Sequence, residues 1–197
     1  YRGNVGVFVG MMHQEYHHFA EKQYEKFAMA GLSRAIVANR VSHFFNFTGP
    51  SLGIDTLCSS SMTAIHQACQ SLLQGDCKLA IAGGVNLSLH PSKYILYSQG
   101  KMLASSKDSR SFSQGDGFIP SEAIANVLLK PLAQAKEDGD NILAVIKATR
   151  LNHGGYSNWM FAPNRNALIA LMKETITASQ VDIRTISYIE AAANGSA

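Results

Sequence analysis

Cys58 lies in the sequence DTLCSSS (residues 55–61) and is the side chain of this protein best suited to nucleophilic chemistry. The apolar stretch PSLGI (residues 50–54) before it predicts an extended strand. Apolar residues after it recur at helical steps of three and four, at Met62, Ile65, Cys69, Leu72 and Leu73. A cysteine at a strand-to-helix junction has its sulfur near unpaired backbone N–H groups and the positive end of the helix dipole, which favour the nucleophilic thiolate. The alternative is a small cysteine that only packs in a core.

The elements around this junction alternate between strand and helix. Apolar runs predict strands at residues 5–9, 50–54, 79–82, 123–129, 142–148 and 186–190. Helical spacing predicts helices at 33–41, after residue 58 up to Gly75, and at 91–99, 132–136 and 164–179. Residues 11–27 are expected to mix loop and helix, Gly83 and Gly84 to end a strand, and residues 101–120 to form a loop. The pattern indicates an α/β protein whose sheets are covered on both faces.

Composition excludes several classes of function. The 197 residues are 46% hydrophobic and 16% charged, which suits one domain or part of a larger one. The net charge is +3 and the basic residues are scattered, so nucleic-acid binding is not expected. The three cysteines lack the paired spacing of a zinc site or disulfide framework and suit a reducing cytoplasm. No apolar run approaches the roughly 18 residues of a membrane span. Both ends look cut, so we expect a fragment of a longer polypeptide.

Two other groups of residues give weaker evidence of a functional site than Cys58 does. Gly83 and Gly84 follow a predicted strand but lack the dinucleotide fingerprint and the phosphate-loop lysine. His13, Glu15 and His17 approach a metalloprotease helix pattern, but the glutamate is one position off, so a polar surface segment is the simpler interpretation. His66 falls inside the helix after Cys58, where packing is the simpler role.

The region around Cys58 resembles the active-site region of β-ketoacyl synthases, and more closely the ketosynthase domain of a modular type I polyketide synthase. The similarity rests on ANRVSHFFNFTGPS (residues 38–51) and DTLCSSS, and continues through AGGVN (82–86), SF (111–112), DGF (116–118), VLLKPL (127–132) and NHGG (152–155). The segments NLSLHPSKY (86–94) and SQG (98–100) are similar to ketosynthases of the trans-acyltransferase kind. The resemblance implies a thiolase-like αβαβα sandwich, of which residues 1–197 would be mainly the N-terminal half, incomplete and truncated at both ends.

The resemblance also implies a mechanism and partners. Cys58 would take an acyl group from the phosphopantetheine of an acyl carrier protein as a thioester, and its backbone N–H would supply one oxyanion donor. Two family histidines would then assist decarboxylation of a malonyl unit, whose carbanion attacks the acyl-cysteine. We expect no directly bound cofactor and no metal. The expected partners are the carrier protein, neighbouring polyketide synthase domains, and a second copy that partly covers Leu52 and Ile54.

The chain departs from the family pattern at Ala192. The first family histidine opens a His-Gly-Thr-Gly-Thr motif after a strand ending in Glu-Ala, whereas this chain has YIEAAANGS at residues 188–196. The flanks agree, so Ala192 occupies the histidine position, although a shifted alignment near the end of the chain is the alternative. A methyl group donates no hydrogen bond to a developing enolate, and loss of one such donor costs about 10²–10³ in rate. This predicts a ketosynthase that accepts and forwards an acyl chain without condensing it.

A second departure is SEA at residues 121–123, where the family usually has Gly-Glu-Gly. We interpret it as a local backbone adjustment. A function of a different class stays open: a non-catalytic gatekeeping or structural module that docks carrier proteins. The intact motif around Cys58 argues against an inert scaffold. The second histidine, the lysine and the other oxyanion donor of the family lie beyond Ala197, so the 197-residue piece alone is expected to be inactive.

Overall fold

The computed structural model describes residues 3–19, 32–108, 110–158 and 162–192. Its centre is a four-stranded sheet made of β1 (Val5–Gly10), β2 (Ser51–Ile54), β3 (Leu79–Asn86) and β4 (Ala123–Leu129). The spatial order is β2-β1-β3-β4. β1 pairs in parallel with both β2 and β3, and β4 pairs antiparallel with β3. The chain segments that follow β1, β2 and β3 therefore leave the sheet on the same side, at the carboxyl ends of these strands.

The helices of the described chain follow the predicted order. They are α1 (Ala35–Phe45), α2 (Ser60–Gln74), α3 (Ser92–Gln99), α4 (Leu132–Glu137) and α5 (Arg165–Ser179), with 3-10 turns at Tyr16–His18 and Ile183–Thr185. Gly75 ends α2 in the left-handed conformation, as predicted, with φ of 81°. Asn164 caps α5, because its side-chain oxygen accepts the N–H groups of Asn166 and Ala167. No helix of the described residues is long and apolar enough to cross a lipid bilayer.

The core lies on both faces of the central strand β1. Phe8 packs with Ala64 and Ala68 of α2 on one face, while Val7 and Val9 pack with Ala38 of α1 on the other. Successive strand residues point to opposite faces, so one apolar strand serves both layers. The predicted coverage on both faces is confirmed for β1. It does not hold for β4, whose residues are almost all exposed.

Gly83 and Gly84 do not end a strand, which corrects the sequence-based expectation. β3 continues through both glycines to Asn86, paired with β1 on one side and β4 on the other. A Cβ on Gly83 would lie 2.1 Å from the Ala125 carbonyl oxygen, and one on Gly84 would lie 2.8 Å from Cβ of Ser61. The glycines therefore permit close approach of neighbouring elements. Because both residues are part of the sheet, they form no nucleotide-binding turn.

Four further segments differ from the prediction. Residues 142–148 and 186–190 have strand-like sequences but form no strand, and most of their side chains are exposed. A strand requires a hydrogen-bonded neighbour, which the sequence pattern alone does not supply. α1 runs to Phe45 rather than to residue 41, because Asn46 provides the left-handed end with φ of 54°. The helical part expected in residues 11–27 is a 3-10 turn as far as residue 19, and residues 20–27 lie outside the described chain.

Candidate active site

Cys58 is exposed on a short turn between β2 and α2. We call residues 55–59 the Cys58 turn. The residue directly before the cysteine, Leu57, has φ of 57°, in the left-handed region that residues other than glycine rarely adopt. Such a conformation persists only where the surrounding structure holds it. The turn therefore presents Cys58 on a backbone whose shape is imposed by its neighbours.

Side-chain hydrogen bonds hold the Cys58 turn against the first turn of α2. Ser60 is buried; its hydroxyl donates to the Leu57 carbonyl (2.6 Å) and accepts the Thr56 N–H (2.9 Å). The hydroxyl of Ser59 donates to the Thr56 carbonyl (2.8 Å). The hydroxyls of Thr56 and Thr63 are 2.9 Å apart. The hydroxyl residues of the DTLCSSS sequence thus fix the loop conformation around the cysteine.

The start of α2 rests directly on the ends of two strands. A Cβ on Gly10, the last residue of β1, would lie 2.4 Å from the Ser60 carbonyl carbon and 2.5 Å from the Ser61 nitrogen. Gly84 of β3 is similarly close to the side chain of Ser61. This close approach places the start of α2 directly against the sheet. The position of Cys58 at the helix start is therefore set by the sheet itself.

Arg34 links the Cys58 turn to the segment that follows β1. Its Nη1 is 2.8 Å from Oδ2 of Asp55, and its Nη2 donates to the Met12 carbonyl (3.1 Å). The other Asp55 oxygen, Oδ1, accepts the Leu57 N–H (3.0 Å). One carboxylate therefore contacts both a cation and the backbone of the residue before Cys58.

His13 and Tyr97 form a pair near Cys58. The Nε2 of His13 and the hydroxyl of Tyr97 are 2.7 Å apart in a hydrogen bond. Burial, then the charge of Lys93, lowers the pKa of His13 below its ordinary value. Burial, then the charges of a Cys58 thiolate and of Glu15, raises the pKa of Tyr97. Both side chains are therefore uncharged at neutral pH, and the hydrogen bond joins two neutral groups.

A cleft of about 500 Å³ lies next to this pair, between the segment after β1 and helix α3. Its lining includes His13, Arg34 and the buried residues Glu15 and Lys93. The Oε2 atom of Glu15 accepts the N–H groups of Leu89 (2.6 Å) and His90 (3.1 Å). The Lys93 ammonium donates to the Asn86 side-chain oxygen (2.6 Å) and the Leu87 carbonyl (3.0 Å). These buried charges organise the loop after β3.

The structure separates the residues of the metal hypothesis. His13 bonds to Tyr97, Glu15 bonds to the loop after β3, and the Nδ1–H of His17 donates to the Gln14 carbonyl (2.9 Å). His13 precedes the 3-10 turn that contains His17, so the two do not share a helix face. Among the described residues, no group of three His, Cys, Asp or Glu side chains is arranged to hold a metal ion.

The remaining candidates lie elsewhere. His66 lies in α2, where its Nδ1 hydrogen bonds to the Thr149 hydroxyl (2.7 Å). Ala192 is exposed in a stretch without regular secondary structure, and it takes no part in the hydrogen bonds described for the Cys58 turn. The motif residues after it, 193–196, lie outside the described chain. Glu122, in the sequence SEA (residues 121–123), accepts the Ser88 N–H (2.5 Å), so this segment stabilises the loop after β3.

Sequence reasoning missed Arg34 and Tyr97. Neither belongs to a recognisable local motif, and their partners Asp55 and His13 are 21 and 84 residues away along the chain. Tyr97 could have been found from the topology. It lies on α3, which follows β3, and β3 pairs in parallel with β1, so α3 and the segment with His13 lie at the same end of these strands. The spacing of residues gives no comparable signal for Arg34.

Comparison with solved structures defines the class of this protein. The ketosynthase domain OzmH KS7, for oxazolomycin, of Streptomyces albus JA3453 matches with a TM-score of 0.90 and 42% identity over 98% of this chain and 35% of that chain. The ketosynthase from module 6 of the bacillaene synthase of Bacillus subtilis 168 matches with a TM-score of 0.89 and 32% identity, over 98% of this chain and 34% of that one. The fold is therefore the thiolase-like α/β fold of ketosynthases, and the chain spans about a third of those structures.

Sequence comparison identifies the family. The profile of the β-ketoacyl synthase N-terminal domain matches residues 2–135, and that of the C-terminal domain matches residues 143–197. The chain belongs to the β-ketoacyl synthase family. It is 48% identical to polyketide synthase PksL of Bacillus subtilis (strain 168) and 43% identical to polyketide synthase ThaG of Burkholderia thailandensis, in each case over 98% of this chain. It spans only 4% of the length of each of these relatives.

Proposed function

We propose that Cys58 is the acyl-accepting nucleophile of a polyketide synthase ketosynthase. The observation that supports this most directly is an exposed cysteine on a constrained turn at the start of α2, within a chain of the β-ketoacyl synthase family. The Cys58 thiolate attacks the carbonyl carbon of an acyl thioester, and a new carbon–sulfur bond forms. The backbone N–H of Cys58 stabilises the oxyanion. The pantetheine thiolate then leaves with the electron pair of the broken carbon–sulfur bond and takes up a proton.

We further propose that this ketosynthase transfers its acyl chain without extending it. Ala192 occupies the position of the family histidine that assists the condensation step, and a methyl group cannot donate the required hydrogen bond. Loss of one donor of this kind costs about 10²–10³ in rate. The acyl group on Cys58 therefore returns to a carrier protein faster than it forms a new carbon–carbon bond.

The partners follow from this proposal. Acyl groups arrive and leave on the phosphopantetheine of an acyl carrier protein, and the ketosynthase itself binds no cofactor or metal. Neighbouring polyketide synthase domains lie on the same assembly line. A second copy of the ketosynthase packs at the sheet edge formed by β2, where Leu52 is exposed. Three free cysteines suit a reducing cytoplasm.

The test uses the intact ketosynthase within its full-length protein. Purified protein is incubated with an acyl thioester and examined by mass spectrometry of the Cys58 peptide, then mixed with malonyl carrier protein. We expect acylation in the unaltered protein, none in Cys58→Ala, and little condensation product. In Ala192→His we expect the rate of condensation to rise by up to about 10²–10³, the factor associated with one hydrogen-bond donor.

Two results would contradict these proposals separately. Efficient carbon–carbon bond formation by the unaltered protein would refute the non-elongating role and leave acyl transfer standing. Complete absence of acylation at Cys58 would refute the nucleophile itself and favour the gatekeeping or structural module that docks carrier proteins without chemistry.

A further inference from the structure

We propose that Arg34 is a positioning residue for acyl transfer, acting on Cys58 through Asp55. The inference rests on the proposed function of Cys58 as the acyl acceptor. The hydrogen-bonding contacts of Arg34 are with Asp55 and the Met12 carbonyl rather than with Cys58. It holds the carboxylate that in turn holds the backbone directly before the nucleophile.

The first step is the geometry of the Arg34 guanidinium. Nη1 is 2.8 Å from Oδ2 of Asp55, while Nη2 donates to the Met12 carbonyl at 3.1 Å. Arg34 lies just before α1, Met12 follows β1, and Asp55 follows β2, so the guanidinium joins three segments at one edge of the sheet. The planar arginine fork fixes two acceptors at once in defined directions, which a lysine ammonium does not.

The second step is the other oxygen of the Asp55 carboxylate. Oδ1 accepts the Leu57 N–H at 3.0 Å, in an Asx-type turn across two residues. Leu57 has φ of 57°, a conformation that a leucine keeps only under constraint. A carboxylate held at Oδ2 by Arg34 has its rotamer fixed, so Oδ1 is already aimed at the Leu57 N–H.

The third step connects this constraint to catalysis. Cys58 follows Leu57 directly, so the dihedral angles of Leu57 set the direction of the cysteine and of its backbone N–H. Acyl transfer requires the sulfur and the oxyanion donor to meet one carbonyl group together. A misplacement of about 1 Å in such an arrangement costs about a hundredfold in rate. Loosening Asp55 should therefore reduce the rate of transfer.

A purely stabilising role fits the pair less well. The side chains of Arg34 and Asp55 are 48% and 26% exposed, and ion pairs with that much solvent contact contribute little to folding stability. Their removal should therefore leave the fold largely unchanged. Because Asp55 also accepts the Leu57 N–H, breaking this ion pair would affect the backbone next to Cys58, which an ordinary surface ion pair does not contact.

The experiment measures single-turnover acyl loading of Cys58 in the full-length protein, with kcat and KM for the acyl thioester. Arg34→Gln should lower kcat about ten- to hundredfold with little change in KM, because the substrate still binds. Arg34→Lys should recover part of the loss, since it keeps a cation for Asp55 but not the fork. The matched control is Arg184→Gln, which breaks an exposed Arg–Asp pair with a 2.6 Å contact outside the Cys58 turn. It should load at the unaltered rate.

A double-mutant cycle tests whether Arg34 acts through Asp55. Asp55→Asn keeps an oxygen for the Leu57 N–H but loses the ion pair. The double variant Arg34→Gln/Asp55→Asn should load no more slowly than the slower single variant, whereas independent roles would give losses that multiply. Melting temperatures of all variants should stay close to that of the unaltered protein.

Each alternative result overturns a defined statement. Loading by Arg34→Gln at the unaltered kcat, multiplying losses in the cycle, or a fall in kcat that only follows a loss of folded protein would each refute the positioning role. Failure of the unaltered protein to take an acyl group would refute the proposed function and, with it, this inference. The two failures are therefore distinguished by the unaltered protein.

Discussion

His13 and His66 are partly buried bases whose surroundings oppose a positive charge. Burial is the largest cause for both, followed by the cation of Lys93 for His13 and that of Arg150 for His66. The pKa of each imidazole therefore lies below the ordinary value of 6.5. Each ring also makes a hydrogen bond in its uncharged form, His13 to Tyr97 and His66 to Thr149. Protonation thus acts against the folded state at two separate places.

This arrangement predicts that stability falls on acidification. The unfolded chain binds these protons more readily than the folded chain, so the free energy of unfolding rises with pH in this range. The histidine contribution is complete above the ordinary pKa of 6.5 and is lost as the pH falls below it. The melting temperature of the intact ketosynthase should drop between about pH 7.5 and pH 5.5, and less so in His13→Gln/His66→Gln. An equal drop in that variant would assign the effect to other groups.

At the scale of elements, the contact between β1 and α2 does most to place the nucleophile. Gly10 ends β1 against the backbone of Ser60 and Ser61, and Gly84 of β3 faces Ser61. The neighbouring atoms at Gly10 are backbone atoms, which cannot rotate away as a side chain can. The site is therefore built on an interface that has no space for a methyl group.

This interface predicts a strong effect of Gly10→Ala. The new Cβ would stand 2.4–2.6 Å from backbone atoms of Ser60 and Ser61, so α2 must move or the strand must bend. Overpacking of this kind costs about 1–3 kcal/mol of folding stability. We expect a lower melting temperature together with slower alkylation or acylation of Cys58. The control is Gly3→Ala, where a Cβ would meet nothing within 4 Å. A similar loss in both variants would contradict the packing argument.

The sequence predicted the order of elements around Cys58 but not their partners. The strands at β1, β2 and β4 and the helix after Cys58 could be predicted because their periodicity is local. Gly83 was misassigned because a glycine that permits close packing and a glycine that forms a turn look alike in a sequence. The salt bridge between Arg34 and Asp55 could not be predicted, since it depends on how α1 and β2 meet in space. Residues 142–148 were wrongly predicted to form a strand: their sequence has the strand pattern, but no strand of the described chain pairs with them.

At the scale of the whole molecule, much apolar surface is exposed on β4 and on the segments that follow it. Ile124 and Leu128 of β4 are 65% and 68% exposed, and Leu143 is 91% exposed. Met172 of α5 and Ile189 are also largely exposed. Apolar side chains exposed in such numbers are typical of surface that other protein covers. The chain spans about a third of the solved ketosynthases that it matches, so such cover is expected there.

We therefore expect the 197-residue chain by itself to aggregate and to be inactive. It should bind a hydrophobic dye strongly and elute as large species in size-exclusion chromatography, whereas the intact ketosynthase should bind little dye and elute as one species. The physical reason is the uncovered apolar surface of β4 and of residues 142–148. Soluble, monodisperse and acylation-competent material from the 197 residues alone would refute this expectation.

The central place of β1 has a consequence for the order of events during synthesis. β1 is translated before the other strands of its sheet, and it gains β2 only after about 40 further residues and β3 after about 70, as the pairings of Val7 with Ser51 and Ile81 show. Since chains are made at about 5–20 residues per second, the nascent polypeptide spends about one to five seconds between translation of Cys58 and translation of Gly84. The close contact between Ser61 and Gly84 can form only once Gly84 has emerged. The packing of the start of α2 against the sheet is thus completed late, after both flanking strands of β1 are available.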